Sequence, residues 1–172
     1  MEPLDFCRVK KIDEKGFGFL KSLYYPSDIF FHFSQIKKEE FREKLSKMKR
    51  GEFFLFFISK QQKDGRRKVA ELFYAIDAVP VDHLEPFAER ILREFESGTT
   101  NIFDLLFVFN EFRRINFLTE EMLLKFLSSK RITGLPTTIL PYLSKDEIEL
   151  FKSILHFDEL KTKPFWYNDF VN

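Results

Sequence analysis

The strings Lys15-Gly16-Phe17-Gly18-Phe19-Leu20 and, nine residues on, Ile29-Phe30-Phe31-His32-Phe33-Ser34 leave few conformations open to this chain. A strand sends alternate side chains to opposite faces, so Phe17 and Phe19 share one face while Gly16 and Gly18 occupy the other. Two glycines on one face let a strand bend sharply and lie close to a neighbouring backbone, which a small curved barrel needs. In the second string the same parity groups Phe30 with His32 and turns Phe31 inward. Paired side by side, the strands would display Phe17, Phe19, Phe30 and His32 as one flat aromatic patch edged by Lys15. Exposed rings bordered by cations suit the stacking of unpaired bases. Phe accounts for 24 of 172 residues, so a Phe-rich strand pair also reads as ordinary core. His32 and the paired glycines are not core choices.

With both motifs in this order and at about this spacing, the chain resembles the cold-shock domains from about Phe6 to Ala78. The likeness takes in the strand Cys7-Arg8-Val9-Lys10-Lys11-Ile12, the turn before Lys15, and Asp28 at the head of the second motif. It continues through Gly51 and Glu52-Phe53-Phe54-Leu55-Phe56 to a last strand, Lys68-Val69-Ala70-Glu71-Leu72, after Asp64-Gly65. The resemblance implies a five-stranded antiparallel OB-like barrel that binds single-stranded RNA or DNA, RNA being the first expectation. The role that follows is an RNA chaperone or a transcriptional or post-transcriptional regulator. It places Lys15, Phe17, Phe19, Phe30, His32 and Phe33 where the family contacts bases, and Phe41 at a further stacking position. Where the family has Trp-Phe in its first strand, this chain has Lys11-Ile12, and the turn that follows is one residue shorter. Stacking surface is thereby lost or exchanged for the Lys11 cation, so lower affinity with a larger electrostatic share is expected.

Charge divides along the chain. Residues 1–79 hold 17 Lys+Arg against 12 Asp+Glu, whereas residues 80–172 hold 11 against 15. The positive excess accompanies the aromatic patch, where phosphate neutralisation would use it. One cluster comprises Lys37, Lys38, Arg42, Lys44, Lys47, Lys49 and Arg50, interrupted by glutamates, and reads equally as a solvated face. A second comprises Lys60, Lys63, Arg66, Arg67 and Lys68 in the hairpin before the last strand; from it Lys60, Arg66 and Arg67 are expected phosphate contacts. The acidic second half argues against another nucleic-acid surface. There is no apolar run of 18 or more residues, and the N-terminus lacks an apolar signal core, so no membrane partner is expected and a cytoplasmic location is. Cys7, the one cysteine, reads as a packed thiol.

Two domains are expected, a barrel over residues 1–79 and a small all-α domain over residues 80–172, because strand alternation stops near Val79-Pro80. Leu84, Phe87, Ala88, Ile91, Leu92 and Phe95 repeat at helical spacing up to Ser97-Gly98. Asn101 can cap a second helix that is apolar nearly all round from Ile102 to Phe112, and Thr119 opens a third through Arg131. Gly134-Leu135-Pro136 breaks it, a short helix covers Thr137 to Leu143, and Ser144-Lys145-Asp146-Glu147 fits a capping box for a last helix to about Phe157. The aromatic tail, Pro164 to Phe170, should dock on the helices or on a neighbouring chain.

This half resembles no family. His83 and His156 stand far apart and no Cys/His cluster has metal spacing, so no metal, cofactor or catalytic role is expected. Two functions stay open. Either the barrel binds single strands while residues 80–172 mediate homodimerisation or hold a protein partner, or the helical half is an adaptor and the barrel its scaffold or localiser.

Overall fold

Alternating apolar residues build five strands: β1 (Leu4–Ile12), β2 (Phe17–Leu20), β3 (Ile29–His32), β4 (Phe54–Gln61) and β5 (Arg67–Phe73). The computed structural model describes residues 2–12, 15–32, 34, 39, 43, 54–73, 75–155 and 167–168, with the backbone alone at residues 10–12. The strands close into a barrel in the order β1-β2-β3-β5-β4. Neighbours are antiparallel except β3 and β5, which run parallel. A ring of five strands cannot alternate direction all the way round, so closure itself demands one parallel junction. The interior is filled by Cys7, Val9, Leu20, Ile29, Phe31, Leu55, Phe57 and Val69, the inward members of each period-two pattern. Burying a large side chain of this kind contributes about 1.5–3 kcal/mol.

Asp5 fixes the connection from β2 to β3. Its carboxylate is buried and accepts hydrogen bonds from the Leu23 amide at 2.9 Å and from the Ser22 hydroxyl. Ser22 Oγ in turn accepts from the amides of Tyr24 and Tyr25 at 2.9 and 3.1 Å. A segment without a ladder of its own thus has its backbone donors satisfied.

The chain divides into two compact units, Met1–Glu89 and Arg90–Asn172. The first unit extends past the break in sequence pattern at Pro80 and takes in the start of helix α1 (Val81–Ser97). The outward faces of β1 and β4 explain why. Leu4 pairs with Ile58 and Phe6 with Phe56, and all four are buried. Phe87 of α1, itself 1% exposed, meets Phe56 edge-on at 6.0 Å.

The second unit holds α2 (Ile102–Arg114), α3 (Glu120–Leu127), α4 (Lys130–Thr133), α5 (Pro136–Ile139) and α6 (Lys145–Leu155). The expected caps form. Asn101 accepts from the Phe103 amide at 2.9 Å and Thr119 from the Met122 amide at 3.1 Å. Ser144 and Glu147 exchange hydrogen bonds at 3.2 Å each, a complete capping box. The third helix ends earlier than its pattern suggests, at Leu127, because Ser128 Oγ donates to the Leu124 carbonyl and Ser129 Oγ to the Phe126 carbonyl, both at 2.7 Å. Those hydroxyls offer the backbone an alternative to further helical bonds. Phe95, Phe109 and Phe126 form the centre of this unit, with Phe109 stacked on Phe126 at 3.8 Å. Phe109 is therefore core, and of the aromatic residues of α2 only Phe103 is largely exposed. Phe157 and residues 164–166 and 169–170 of the tail lie outside the described residues. No helix among the described residues is long and apolar enough to cross a membrane.

The seal over β1 and β4 is testable. Phe87→Ala should lower the unfolding free energy by about 3–5 kcal/mol, read by urea denaturation of the full chain; a loss under 1 kcal/mol would mean that the helix does not close this face.

Candidate nucleic-acid interface

The β2–β3 pairing sets the site. Phe17 stands opposite His32, Gly18 opposite Phe31, Phe19 opposite Phe30 and Leu20 opposite Ile29. Leu20, Ile29 and Phe31 are fully buried, while Phe17, Phe19 and Phe30 are half-buried and His32 is exposed on the other face. Gly18, buried and opposite Phe31, leaves that interior space to the ring. The chain enters β2 through Gly16 at φ 90°, a left-handed conformation that costs glycine little.

Outside, the three phenylalanines form a triangle. Phe17 lies 5.8 Å from Phe19 and 5.7 Å from Phe30, and Phe19 lies 5.8 Å from Phe30. Their planes are inclined to one another, at 34° to 89°, so each ring buries part of its neighbour and keeps part of its own surface for a ligand. His32 extends the surface from the Phe17 side. The Ser34 amide donates to its Nδ1 at 3.1 Å, which leaves the proton of the neutral ring on Nε2.

Beside Phe19 and Phe30 opens a cleft of about 680 Å³, walled by Ser27 and Asp28 before β3 and by Arg66 and Lys68 of the β4–β5 hairpin. Gly65, at φ 87°, makes the tight turn of that hairpin. Arg67 also reaches the cleft wall, yet its guanidinium is already engaged. It pairs with Glu2 at 2.5 Å, donates to Ser59 Oγ at 3.0 Å and to the Ser59 carbonyl at 3.1 Å, and lies 3.8 Å over the Tyr25 ring. The Tyr25 hydroxyl donates to the same Glu2 carboxylate at 3.4 Å. Burial pushes the Tyr25 phenol above its usual pKa, with Arg67 opposing the shift.

Of the residues singled out by sequence, Phe17, Phe19, Phe30 and His32 lie together on one face, while Lys15, Lys60 and Arg66 are exposed. Lys11 is in backbone register with Phe19. Phe33, Phe41 and the basic residues between Lys37 and Arg50 lie outside the described residues. Sequence reasoning left out two features. Lys68, named only as part of a charge cluster, is in register with Phe30 through the parallel β3–β5 junction. Glu2 and Tyr25 hold Arg67 from a distance in sequence that no local pattern shows. Among the described residues no three His, Cys, Asp or Glu side chains gather as a metal site.

Residues 7–71 match the family of "Cold-shock" DNA-binding domains. The match spans the platform and the cleft, so the cold-shock likeness read from the two motifs holds over the barrel, while the C-terminal half has no family match. No curated protein matches the chain. Among solved structures, a chain of the crystal structure of the a/eIF2alpha-aDim2p-rRNA complex from Pyrococcus horikoshii OT3 is similar at 14% identity. Its TM-score is 0.33, over 94% of this chain and 97% of that one, a likeness too slight to carry a functional argument.

The Arg67 clasp predicts its own energetics. Arg67→Ala should cost about 1–3 kcal/mol, as loss of charged hydrogen bonds does, and Glu2→Gln about 0.2–1 kcal/mol, since Glu2 is 42% exposed. Unchanged urea midpoints in both variants would show that the clasp does not form.

Proposed function

We propose that this protein binds single-stranded nucleic acid, RNA ahead of DNA, by stacking unpaired bases on Phe17, Phe19 and Phe30 with His32 at the margin. The observation that carries this reading is the half-buried three-ring triangle, with His32 exposed beside it, on the outer face of β2 and β3. The part of each ring left open to water adds nothing to the fold, whereas bases stacked on it contribute about 1–3 kcal/mol each. Lys11, Lys15, Lys60 and Arg66 supply phosphate contacts, and Phe33 and Phe41 further stacking. The role is that of an RNA chaperone or a regulator acting on transcripts or transcription in the cytoplasm, by binding and without catalysis.

The test replaces both Phe17 and Phe30 with Ala and measures binding of labelled single-stranded and duplex oligonucleotides. The parent should prefer single strands, and the variant should bind at least tenfold more weakly with an unchanged far-UV spectrum. A folded variant that binds as the parent does would overturn the reading.

Residues 80–172 are proposed to hold a second copy of the chain or another protein. Phe103 and Tyr142 are 43% and 38% exposed with ring centroids 5.9 Å apart, an apolar pair left on the surface of the second unit. Light scattering of the full chain at tens of micromolar should give the mass of a dimer, and a monomer would remove self-association from the proposal.

A further inference from the structure

The barrel carries a pair of cations beside the platform that neither motif includes. Lys68 is exposed and precedes Val69 of the interior, so it shares the outward face with Phe30, its register partner on β3. Lys60 on β4 stands directly opposite Lys68 and is exposed as well. Phe19, Phe30, Lys68 and Lys60 therefore make one row across β2, β3, β5 and β4. With strands about 4.8 Å apart, the two lysines follow the last ring at one and two strand spacings.

Like charges directly opposite each other destabilise an antiparallel pair. Among the described residues neither Lys60 nor Lys68 has a carboxylate at ion-pairing distance. Two lysines in direct register next to a stacking surface form a place where an anion relieves repulsion. Asp28 and Asp64 line the neighbouring cleft together with Arg66 and Lys68, so within it a phosphate is drawn to the side of those two cations, and Lys60 lies beyond Lys68 on the next strand. Arg67 is differently placed, because Glu2 already neutralises it and its side chain is only 14% exposed.

We propose that Lys60 and Lys68 form a backbone-phosphate site that leads the strand from the rings across β5 to β4, and that Arg67 is a positioning residue which shapes the cleft without touching phosphate. The proposal rests on the reading that Phe17, Phe19 and Phe30 stack bases. A phosphate contact to single strands appears as about 0.7 in the slope of log K against log salt.

The experiment measures anisotropy of a labelled single-stranded oligouridylate with the full-length protein over a salt series. Lys60→Gln and Lys68→Gln should each flatten the slope by about 0.7 and weaken binding several-fold at low salt, and Lys68→Arg should restore the slope. Arg67→Gln should weaken binding with the slope unchanged, and Glu2→Gln should shift affinity in the same direction. Parental slopes in both lysine variants, with the Phe17→Ala/Phe30→Ala variant still defective, would overturn the phosphate site alone. A flattened slope in Arg67→Gln would overturn its positioning role. Parental binding by the double phenylalanine variant would remove the stacking reading and, with it, the path proposed for the strand.

Discussion

Phe17 opposite His32 and Gly18 opposite Phe31 define the register of β2 and β3, and both the core and the open face depend on it. Strand side chains alternate, so a one-residue slip of β3 would turn Ile29 and Phe31 out into water and drive Phe30 into an interior already filled by Leu20, Leu55 and Phe57. A slip of β2 would do the same to Leu20 against Phe17 and Phe19. Gly18 makes the register tolerable from inside, by ceding space to Phe31. The buried Asp5 carboxylate supports it from one end by holding Ser22 and Leu23 in the connection that leads to β3. The half-buried rings are thus a consequence of the same pairing that closes the core.

The outer surface of the barrel meets two fates. On β1 and β4 the outward residues Leu4, Phe6, Phe56 and Ile58 are as apolar as the interior, and Phe87 of α1 packs on them. On β2 and β3 the outward residues are three phenylalanines and a histidine, which partly shield one another and stay accessible. Burial of the first set stabilises the unit; the second set stays partly accessible, in register with exposed cations.

Basic residues near that surface are not equivalent. Arg67 has a carboxylate, a hydroxyl, a carbonyl and a ring as partners within its own chain, so its charge is already compensated. Lys60 and Lys68 face each other with no such compensation among the described residues. Charge density alone does not separate these cases, because the distinction rests on which carboxylate each cation meets.

Much of this protein was legible in its residues. Parity assigned Phe17, Phe19, Phe30 and His32 to one face and Phe31 to the other, and short-range spacing located the caps at Asn101, Thr119 and Ser144 with Glu147. These are properties of neighbouring residues, governed by periods of 2 and 3.6 and by hydrogen bonds that reach three residues at most. The tertiary structure alone decided the rest. The parallel β3–β5 junction put Lys68 beside Phe30, and a partner 65 positions away took up Arg67. The apolar outer face of β1 and β4 drew Val81–Glu89 into the first unit, and stacking on Phe126 buried Phe109. Each of these depends on contacts between segments remote in the chain, which closure of the barrel and packing of the helices create and which no local repeat encodes.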